Sequence, residues 1–166
     1  ILENNEVATE YTVIDNEDGT QTSHEYNGCG GAVYNCGNFN MYGGIIRGNV
    51  SLRGGAIYND EIVLLVAGTI ENNYSYSYGG AISSSSSQEA QMFIGSDTVD
   101  GDTIKIISNH AVRAGGALYS STNSPIIIYG TTLFKNNVSD SSGGAIYTAG
   151  GLTISGTVFE GNSCVY

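Results

Sequence analysis

Short stretches of alternating apolar and polar residues recur along the chain, and no segment has the 3.6-residue spacing of an amphipathic helix. Examples are "LTISG", "TVFEG" and "PIIIYG", which lie between glycine-rich corners. Alternation with a period of two places apolar side chains on one face of a strand. The pattern therefore predicts an all-β protein built from many short strands.

Two motifs repeat along the chain in a fixed phase. The first is Gly-Gly-Ala followed by an aliphatic residue, and its glycine pairs are Gly30 and Gly31, Gly54 and Gly55, Gly79 and Gly80, Gly115 and Gly116, and Gly143 and Gly144. The first glycines of successive copies are 24, 25, 36 and 28 residues apart. The second motif is a large apolar residue, two variable residues and an asparagine, and it ends at Asn5, Asn49, Asn73, Asn109, Asn137 and Asn162. A period this short is typical of a solenoid with one coil per repeat.

We predict a right-handed parallel β-helix, that is, a β-solenoid of about five three-strand coils forming one domain over residues 1–166. Glycine makes the tight corner before each first strand. In the first sheet we expect an inner stack of Val33, Ile57, Ile82, Leu118 and Ile146. Leu152, Ile154 and their counterparts are assigned to the second sheet. The third receives Ile46, Ile70, Ile106, Phe134 and Phe159. A β-sandwich is the alternative, but it would not require equal motifs at equal phase.

Two segments lengthen the repeat. Residues 6–27 separate Asn5 from the next glycine pair and are predicted to form an N-terminal hairpin insertion, with its turn at Asp18 and Gly19. Residues 83–103 account for the 36-residue spacing. Because this second segment is polar and serine-rich, we predict a protruding loop.

The paired motifs resemble the GGA[ILV] and FxxN repeats of the chlamydial polymorphic membrane proteins, and those of adhesin-like β-helices of autotransporters more broadly. The resemblance extends from Leu2 to Asn162 outside the two insertions. It implies an extracellular or cell-surface β-helix with a structural or adhesive role. The chain departs from the family pattern where Ile46, Ile70 and Ile106 replace the preferred phenylalanine.

The repeated asparagines have two interpretations. An inward-facing asparagine ladder between coils is the preferred one. The alternative is N-glycosylation, because Asn49, Asn73 and Asn137 each begin an Asn-x-Ser sequence. One amide cannot serve both purposes.

A tyrosine follows the aliphatic residue in four of the five glycine motifs. Strand alternation predicts an exposed stripe, interrupted by Ser83 and made of Tyr34, Tyr58, Tyr119 and Tyr147. The rings could pack on one another and stiffen the sheet, or they could form a contact surface for glycans or a neighbouring rod.

Charge narrows the range of partners. The formal net charge of −11 disfavours nucleic acid and anionic membrane surfaces, and no apolar run is long enough for membrane insertion. No cofactor is expected apart from Ca²⁺, for which Asp97, Asp100 and Asp102 are weak candidate ligands. A second acidic segment, "IDNEDGT", is also most simply a turn.

No catalytic residue is predicted, and the chain is expected not to be an enzyme. The five basic residues lie at turns or in the asparagine motif and not in a cluster on a strand face, and the two histidines are isolated in sequence. The alternative is a carbohydrate-binding or carbohydrate-active β-helix of the lyase or hydrolase kind, which would need such a cluster on one sheet face. An ice-binding rod would need a regular threonine array, which the sequence lacks.

Three cysteines, Cys29, Cys36 and Cys164, are too far apart in the predicted rod to pair within one chain. We therefore expect either free thiols or an intersubunit disulfide. Both ends of the chain lie in the same phase of the repeat without a capping segment, which is typical of a piece of a longer solenoid or of a head-to-tail filament subunit. The expected partners are further copies of the chain, end to end, and a host-cell or glycan ligand.

Overall fold

The computed structural model describes residues 1–6, 11–15, 21–25, 28–96, 103–121 and 123–165. It contains 21 strands, in chain order β1 (Leu2–Glu3), β2 (Tyr11–Asp15), β3 (Gln21–Glu25), β4 (Val33–Asn35), β5 (Asn38–Arg47), β6 (Val50–Arg53), β7 (Ile57–Asn59), β8 (Ile62–Glu71), β9 (Tyr74–Tyr78), β10 (Ile82–Ser84), β11 (Gln91–Ile94), β12 (Ile104–Ile107), β13 (His110–Ala111), β14 (Leu118–Ser120), β15 (Ile126–Ile128), β16 (Thr132–Lys135), β17 (Val138–Ser139), β18 (Ile146–Thr148), β19 (Leu152–Ile154), β20 (Thr157–Glu160) and β21 (Ser163–Cys164).

The strands form three parallel sheets that wind around one core, so the predicted all-β parallel β-solenoid is confirmed. The first sheet has the order β18-β14-β10-β7-β4, and another has the order β21-β17-β13-β9-β6. The largest sheet has nine strands, because the long β8 pairs with β11 along its first half and with β12 along its second. The right-handed sense and the number of about five coils stay predictions.

Equivalent residues of successive coils lie directly opposite one another. In the first sheet Val33, Ile57, Ile82, Leu118 and Ile146 are in register. In the largest sheet the register joins Leu2, Ile46, Ile70, Ile106, Phe134 and Phe159. Phe134 and Phe159 stack with their ring centroids 5.0 Å apart. These columns form the core, in which most of the aliphatic side chains are fully buried.

Two details of the predicted coil are wrong. The apolar residues before the ladder asparagines share the largest sheet with Leu152 and Ile154, because the long strand β8 pairs with both β11 and β12 and so joins the two rows of strands. The strands of the other five-stranded sheet, from β6 to β21, each follow one ladder asparagine in the chain. In addition, each later coil has four strands where three were predicted, because a short strand such as β17 follows its ladder asparagine.

Segment 83–103 is not a protruding loop throughout. Its residues 91–94 form β11, which pairs with β8 on one side and β15 on the other. Met92 and Ile94 are fully buried in the core. Their alternation with Gln91 and Phe93 supplies the apolar face, although the serine-rich sequence before them hides this strand.

The N-terminal insertion contains an antiparallel pair, β2 with β3, in which Tyr11 lies opposite Glu25. The chain leaves the solenoid after Glu6, which bridges to Val50, and returns at Cys29, which bridges to Arg53. The turn predicted at residues 18–19 lies outside the described residues. Within the described part of the chain, no helix has the length and apolar character needed to cross a membrane.

The two glycines of each pair have different roles. The first, as in Gly54, has a positive φ of +63°, and a Cβ there would lie 2.0 Å from the carbonyl oxygen of Ile57. The second lies close to the backbone of the next coil, so a Cβ on Gly80 would lie only 2.1 Å from the carbonyl oxygen of Gly116. The motif is therefore set by a left-handed corner and by backbone contact between coils.

Candidate functional site on the outer tyrosine face

The six asparagines of the second motif form one continuous ladder through the interior. From Asn5 to Asn162, each side-chain Nδ2 donates to the Oδ1 of the next asparagine at 2.8–3.0 Å. The same Oδ1 accepts the backbone N–H of the preceding asparagine. From Asn49 onwards, Nδ2 also donates to the carbonyl oxygen of the large apolar residue one coil back. These bonds compensate the cost of burying the amides.

The residue before each ladder asparagine is in the left-handed region. The set comprises Asn4, Gly48, Asn72, Ser108, Asn136 and Gly161, with φ between 52° and 65°. Asparagine and glycine tolerate this conformation best, which explains why five of the six are one or the other. Ser108 is the exception.

N-glycosylation at Asn49, Asn73 and Asn137 is incompatible with this structure. The three side chains are at most 1% exposed, and their amide nitrogens are bonded inside the ladder. The serines of the same tripeptides, Ser51, Ser75 and Ser139, are also buried. Their hydroxyls donate to turn carbonyls, as from Ser75 to Tyr78 at 2.9 Å. The Asn-x-Ser pattern thus arises from two structural positions two residues apart.

A second polar ladder was not predicted. It lies in the first sheet, where Asn35 Nδ2 donates to Asn59 Oδ1 at 2.7 Å, and Asn59 Nδ2 donates to Ser84 Oγ at 3.2 Å. The same column continues through Ser120 and Thr148. The available signal was a polar residue two positions after the aliphatic one in every copy of the first motif.

The tyrosines of the first motif lie on the outer face, but they are not uniformly exposed. Tyr34 and Tyr147 are exposed by 55% and 37% of their surface, whereas Tyr58 retains only 9%. Tyr119 is half-buried. Tyr34 packs on Tyr58 with centroids 5.3 Å apart, and Tyr119 on Tyr147 at 5.4 Å. The prediction of an exposed stripe is therefore wrong for Tyr58, which is buried, and the ring contacts agree with the alternative in which the tyrosines pack on one another.

Ser83 breaks the tyrosine column, and a residue from another sheet takes the vacant space. Tyr78, at the end of β9, stacks on Tyr119 with centroids 4.4 Å apart and planes inclined by 26°. The guanidinium carbon of Arg113 lies 5.8 Å from the Tyr78 ring centroid. Tyr78 was not identified from the sequence, since it belongs to neither repeated motif.

A cavity of about 220 Å³ lies beside this break, and we call it the Ser83 notch. Its lining residues are Arg53, Tyr58, Tyr78, Ser83, Ser84, Ser85, Ser86, Tyr119 and Ser121. On the other side of the Tyr78–Tyr119 pair is a second hollow of about 420 Å³, lined partly by Arg113, Ser141 and Tyr147. Two of the five basic residues of the chain thus flank one pair of stacked tyrosines.

Electrostatics along the stripe are shaped by Asp60 and by burial. The Tyr34 hydroxyl donates to the Asp60 carboxylate, and this hydrogen bond is the main reason that the pKa of Tyr34 is raised to about 12. Burial raises the pKa of Tyr58 and of Tyr119. These hydroxyls therefore stay neutral at physiological pH and can act as hydrogen-bond donors.

His110 and Asp140 form a pair that sequence reasoning missed. The His110 Nε2 lies 2.7 Å from Asp140 Oδ1, and the imidazole packs edge-on against Tyr74 at 5.1 Å. The parallel register brings them together, because His110 lies opposite Tyr74 and Val138. Among the described residues, no serine or cysteine side chain is hydrogen-bonded to this pair.

The three cysteines are unpaired, with Cys29 half-buried and Cys36 and Cys164 exposed. Burial raises the pKa of the Cys29 thiol, which lowers its reactivity. The Cys164 thiol donates to the Ser141 carbonyl at 2.7 Å. A disulfide between subunits stays a prediction.

The candidate calcium ligands Asp97, Asp100 and Asp102 lie outside the described residues. Among the residues that the structure describes, no group of three or more acidic, histidine or cysteine side chains is arranged to hold a metal ion. Calcium binding at the predicted acidic segment stays a prediction.

Comparison with known proteins supports the repeat. Residues 68–85 and 131–149 match the family model of the Chlamydia polymorphic membrane protein repeat. Each match begins before a ladder asparagine and extends past the following Gly-Gly-Ala motif. No curated protein and no solved structure matches the chain. The resemblance noted from the motifs is confirmed for these two segments, which match the polymorphic membrane protein repeat and lie in the parallel β-solenoid.

Proposed function

We propose that the chain is an extracellular or cell-surface β-solenoid with a structural or adhesive role and no catalytic activity. The observation that carries the proposal is the uninterrupted asparagine ladder, in which the buried side-chain amides form hydrogen bonds between successive coils. Such an interior supports a stiff rod, and a rod displays its outer face over a long distance. The matched repeat belongs to a family described as membrane proteins, which supports a surface location.

The surface location is tested with antibodies against the purified chain, applied to intact and to permeabilised cells of the source organism. We expect intact cells to bind as much antibody as permeabilised cells do. Labelling that requires permeabilisation would contradict the proposal. A cytoplasmic protein of the same cells serves as the control for membrane integrity.

End-to-end self-association is a second part of the proposal. The last coil exposes Leu152, Ile154, Val158 and Phe159 by 41–54% of their surfaces. The first strand exposes Leu2, which lies in the same column as Phe159. A further coil in the same register would cover these side chains, whether it came from the same chain or from another copy.

Light scattering and electron microscopy of the purified chain under non-reducing conditions test self-association. We expect species larger than the monomer, or filaments, and a partial return to smaller species with a reducing agent if Cys164 bonds to Cys29 or Cys36 of a second copy. Monomers only, at all concentrations, would exclude this part of the proposal without affecting the surface role.

A carbohydrate-binding role is the second candidate. It is supported by the tyrosine rings, arginines and serine hydroxyls around the Ser83 notch. Aromatic faces with a few directed polar groups are the usual lining of small-ligand sites. A binding role differs from the catalytic alternative, which predicts release of shortened sugars when polysaccharides are incubated with the chain.

A further inference from the structure

We propose that the Ser83 notch binds a carboxylate-bearing sugar ring at the end of a glycan. The inference rests on the second candidate of the proposed function and deepens it, because it names the class of ligand. The notch differs from every other part of the tyrosine stripe, since only there does a serine replace the outward tyrosine.

The shape of the notch favours a single ring. Its volume of about 220 Å³ is below the roughly 300–1,000 Å³ of pockets for drug-sized molecules. Tyr58 lies on one side and the stacked Tyr78 and Tyr119 on the other. Between these rings the notch is lined by Arg53 and serine side chains, with no further aromatic ring among its described lining residues. A pyranose can pack its C–H face against such a tyrosine edge or face.

The polar lining fits a sugar better than it fits an apolar ligand. Five serines and three tyrosines line the notch. Ser83, Ser84 and Tyr58 are buried, and the other five residues are at least partly exposed, so their hydroxyls can donate and accept hydrogen bonds. Ser121 also holds the rim in place, because its hydroxyl donates to the Ser85 carbonyl at 2.7 Å. When the sugar binds, hydrogen bonds between its hydroxyls and those of the protein replace the hydrogen bonds that both made to water, so no buried donor is left unpaired.

Arg53 gives the notch its preference for an acid. Its Nε is buried and has no hydrogen-bond partner in the described residues. The three ion pairs of the described residues involve Arg47, His110 and Lys135, so Arg53 forms no ion pair with a described carboxylate, and its guanidinium interacts with the Tyr58 hydroxyl. A partly desolvated guanidinium attracts a carboxylate more strongly than a fully hydrated one does. The lining contributed by the described residues contains no acidic side chain.

The charge of the rest of the chain makes this preference local. The formal net charge is −11, which repels acidic ligands at long range. Only a ligand that reaches Arg53 gains the compensating attraction. Beyond the Tyr78–Tyr119 pair, the second hollow has room for the next sugar of the glycan.

The test is a titration of the full 166-residue chain with D-glucuronate and with D-glucose, followed by ligand-observed NMR. The two sugars share the ring and differ in the carboxylate. We expect glucuronate to bind with a dissociation constant on the order of 1 mM, and glucose about tenfold more weakly. Added salt should weaken glucuronate binding and leave glucose unchanged, because salt screens the charge interaction.

Two variants locate the site. Arg53→Gln should bring glucuronate binding down to the level of glucose, whereas Arg47→Gln, which changes an arginine on β5 paired with Glu3, should have no effect. Ser83→Tyr places in the notch the residue found at the same register in β7 and β14, and it should abolish binding of both sugars. Circular dichroism and the melting temperature show whether each variant folds, and if Ser83→Tyr does not, Arg53→Gln decides.

The outcomes separate the inference from the function on which it rests. Equal binding of glucose and glucuronate, or an Arg53→Gln variant that keeps the preference, overturns the acidic ligand but leaves carbohydrate binding in place. No binding of either sugar by the folded chain overturns both the inference and the carbohydrate-binding candidate. The surface role is unaffected by either result, because antibody labelling measures it independently.

Discussion

The two faces of the first sheet follow different rules, although they belong to the same strands. On the inner face, every coil carries a branched aliphatic side chain in register, as with Ile57, Ile82 and Leu118. On the outer face, the next residue is tyrosine in four of the five glycine motifs, and in the third motif it is Ser83. The inner column is fully buried at these three positions, and the outer column ranges from buried to more than half exposed.

The difference shows how much each position depends on its neighbours. An inner residue has fixed neighbours above, below and across the core, so a change of shape leaves a cavity or a clash. An outer residue has solvent on one side, and a side chain from elsewhere can take its place, as Tyr78 does beside Ser83. Binding sites on a solenoid are therefore expected where the outer face departs from the repeat while the inner face keeps it.

The largest expected effect comes from breaking the inner ladder. Asn109→Ala removes the acceptor of two N–H donors of Asn73 and the donor to Asn137 and Ile70. Because these groups are buried and would lose their partners, we expect the free energy of unfolding to fall by about 4 kcal/mol. Urea denaturation followed by circular dichroism measures the change.

The matched control is Asn40→Ala on β5, where the side chain is exposed. We expect its free energy of unfolding to stay within about 0.5 kcal/mol of the unmodified chain. If both variants lost the same stability, the ladder would not be a major support of the fold. Hydrogen exchange at the amides of Asn73 and Asn109 would show whether the damage stays within neighbouring coils.

Much of the fold could be predicted because the repeat is strict where coils touch. The glycine pairs and the ladder asparagines recur at equal phase, and their positions in the coil follow from backbone contact and amide geometry. Strand β11 could not be predicted as readily, since a run of serines precedes Met92 and Ile94 and interrupts the period. The continuity of β8, which keeps Ile106 and Met92 in one sheet, is a property of the backbone path, which apolar alternation does not specify.

The Ser83 notch could be predicted only in part. The missing tyrosine is visible in the sequence, but the stack of Tyr78 on Tyr119 joins strands of two sheets. Likewise Arg53 and Ser121 are distant in sequence, and only the coiling of the chain brings them to one cavity. Features of the outer face depend on residues outside the repeated motifs, so the motifs carry little information about them.

A smaller loss is expected from forcing two coils apart at a glycine. Gly80→Ala would place a Cβ 2.1 Å from the carbonyl oxygen of Gly116, and 2.6 Å from the backbone nitrogen of His110. Both are backbone atoms that cannot rotate away, so we expect a loss of about 3 kcal/mol in the free energy of unfolding. Gly37→Ala is the matched control, because a Cβ there meets nothing within 4 Å. A similar stability for the two variants would show that coil spacing is more adaptable than the contacts indicate.

The smallest effect is expected on the outer face, at the hydrogen bond from Tyr34 to Asp60. This bond raises the pKa of Tyr34 from 10.0 to about 12, so the folded chain holds the proton more tightly than the unfolded chain does. Its contribution to stability is therefore complete below about pH 10 and is lost as the pH rises towards about 12. Because Tyr34 is 55% exposed, solvent screening keeps the contribution small.

In Tyr34→Phe this contribution is absent at every pH, so the stability difference from the unmodified chain should be constant up to about pH 10 and should shrink above it. Urea midpoints measured across this range, with Asp60→Asn as a second way to remove the bond, check the sign, and a difference that grows with pH would contradict it.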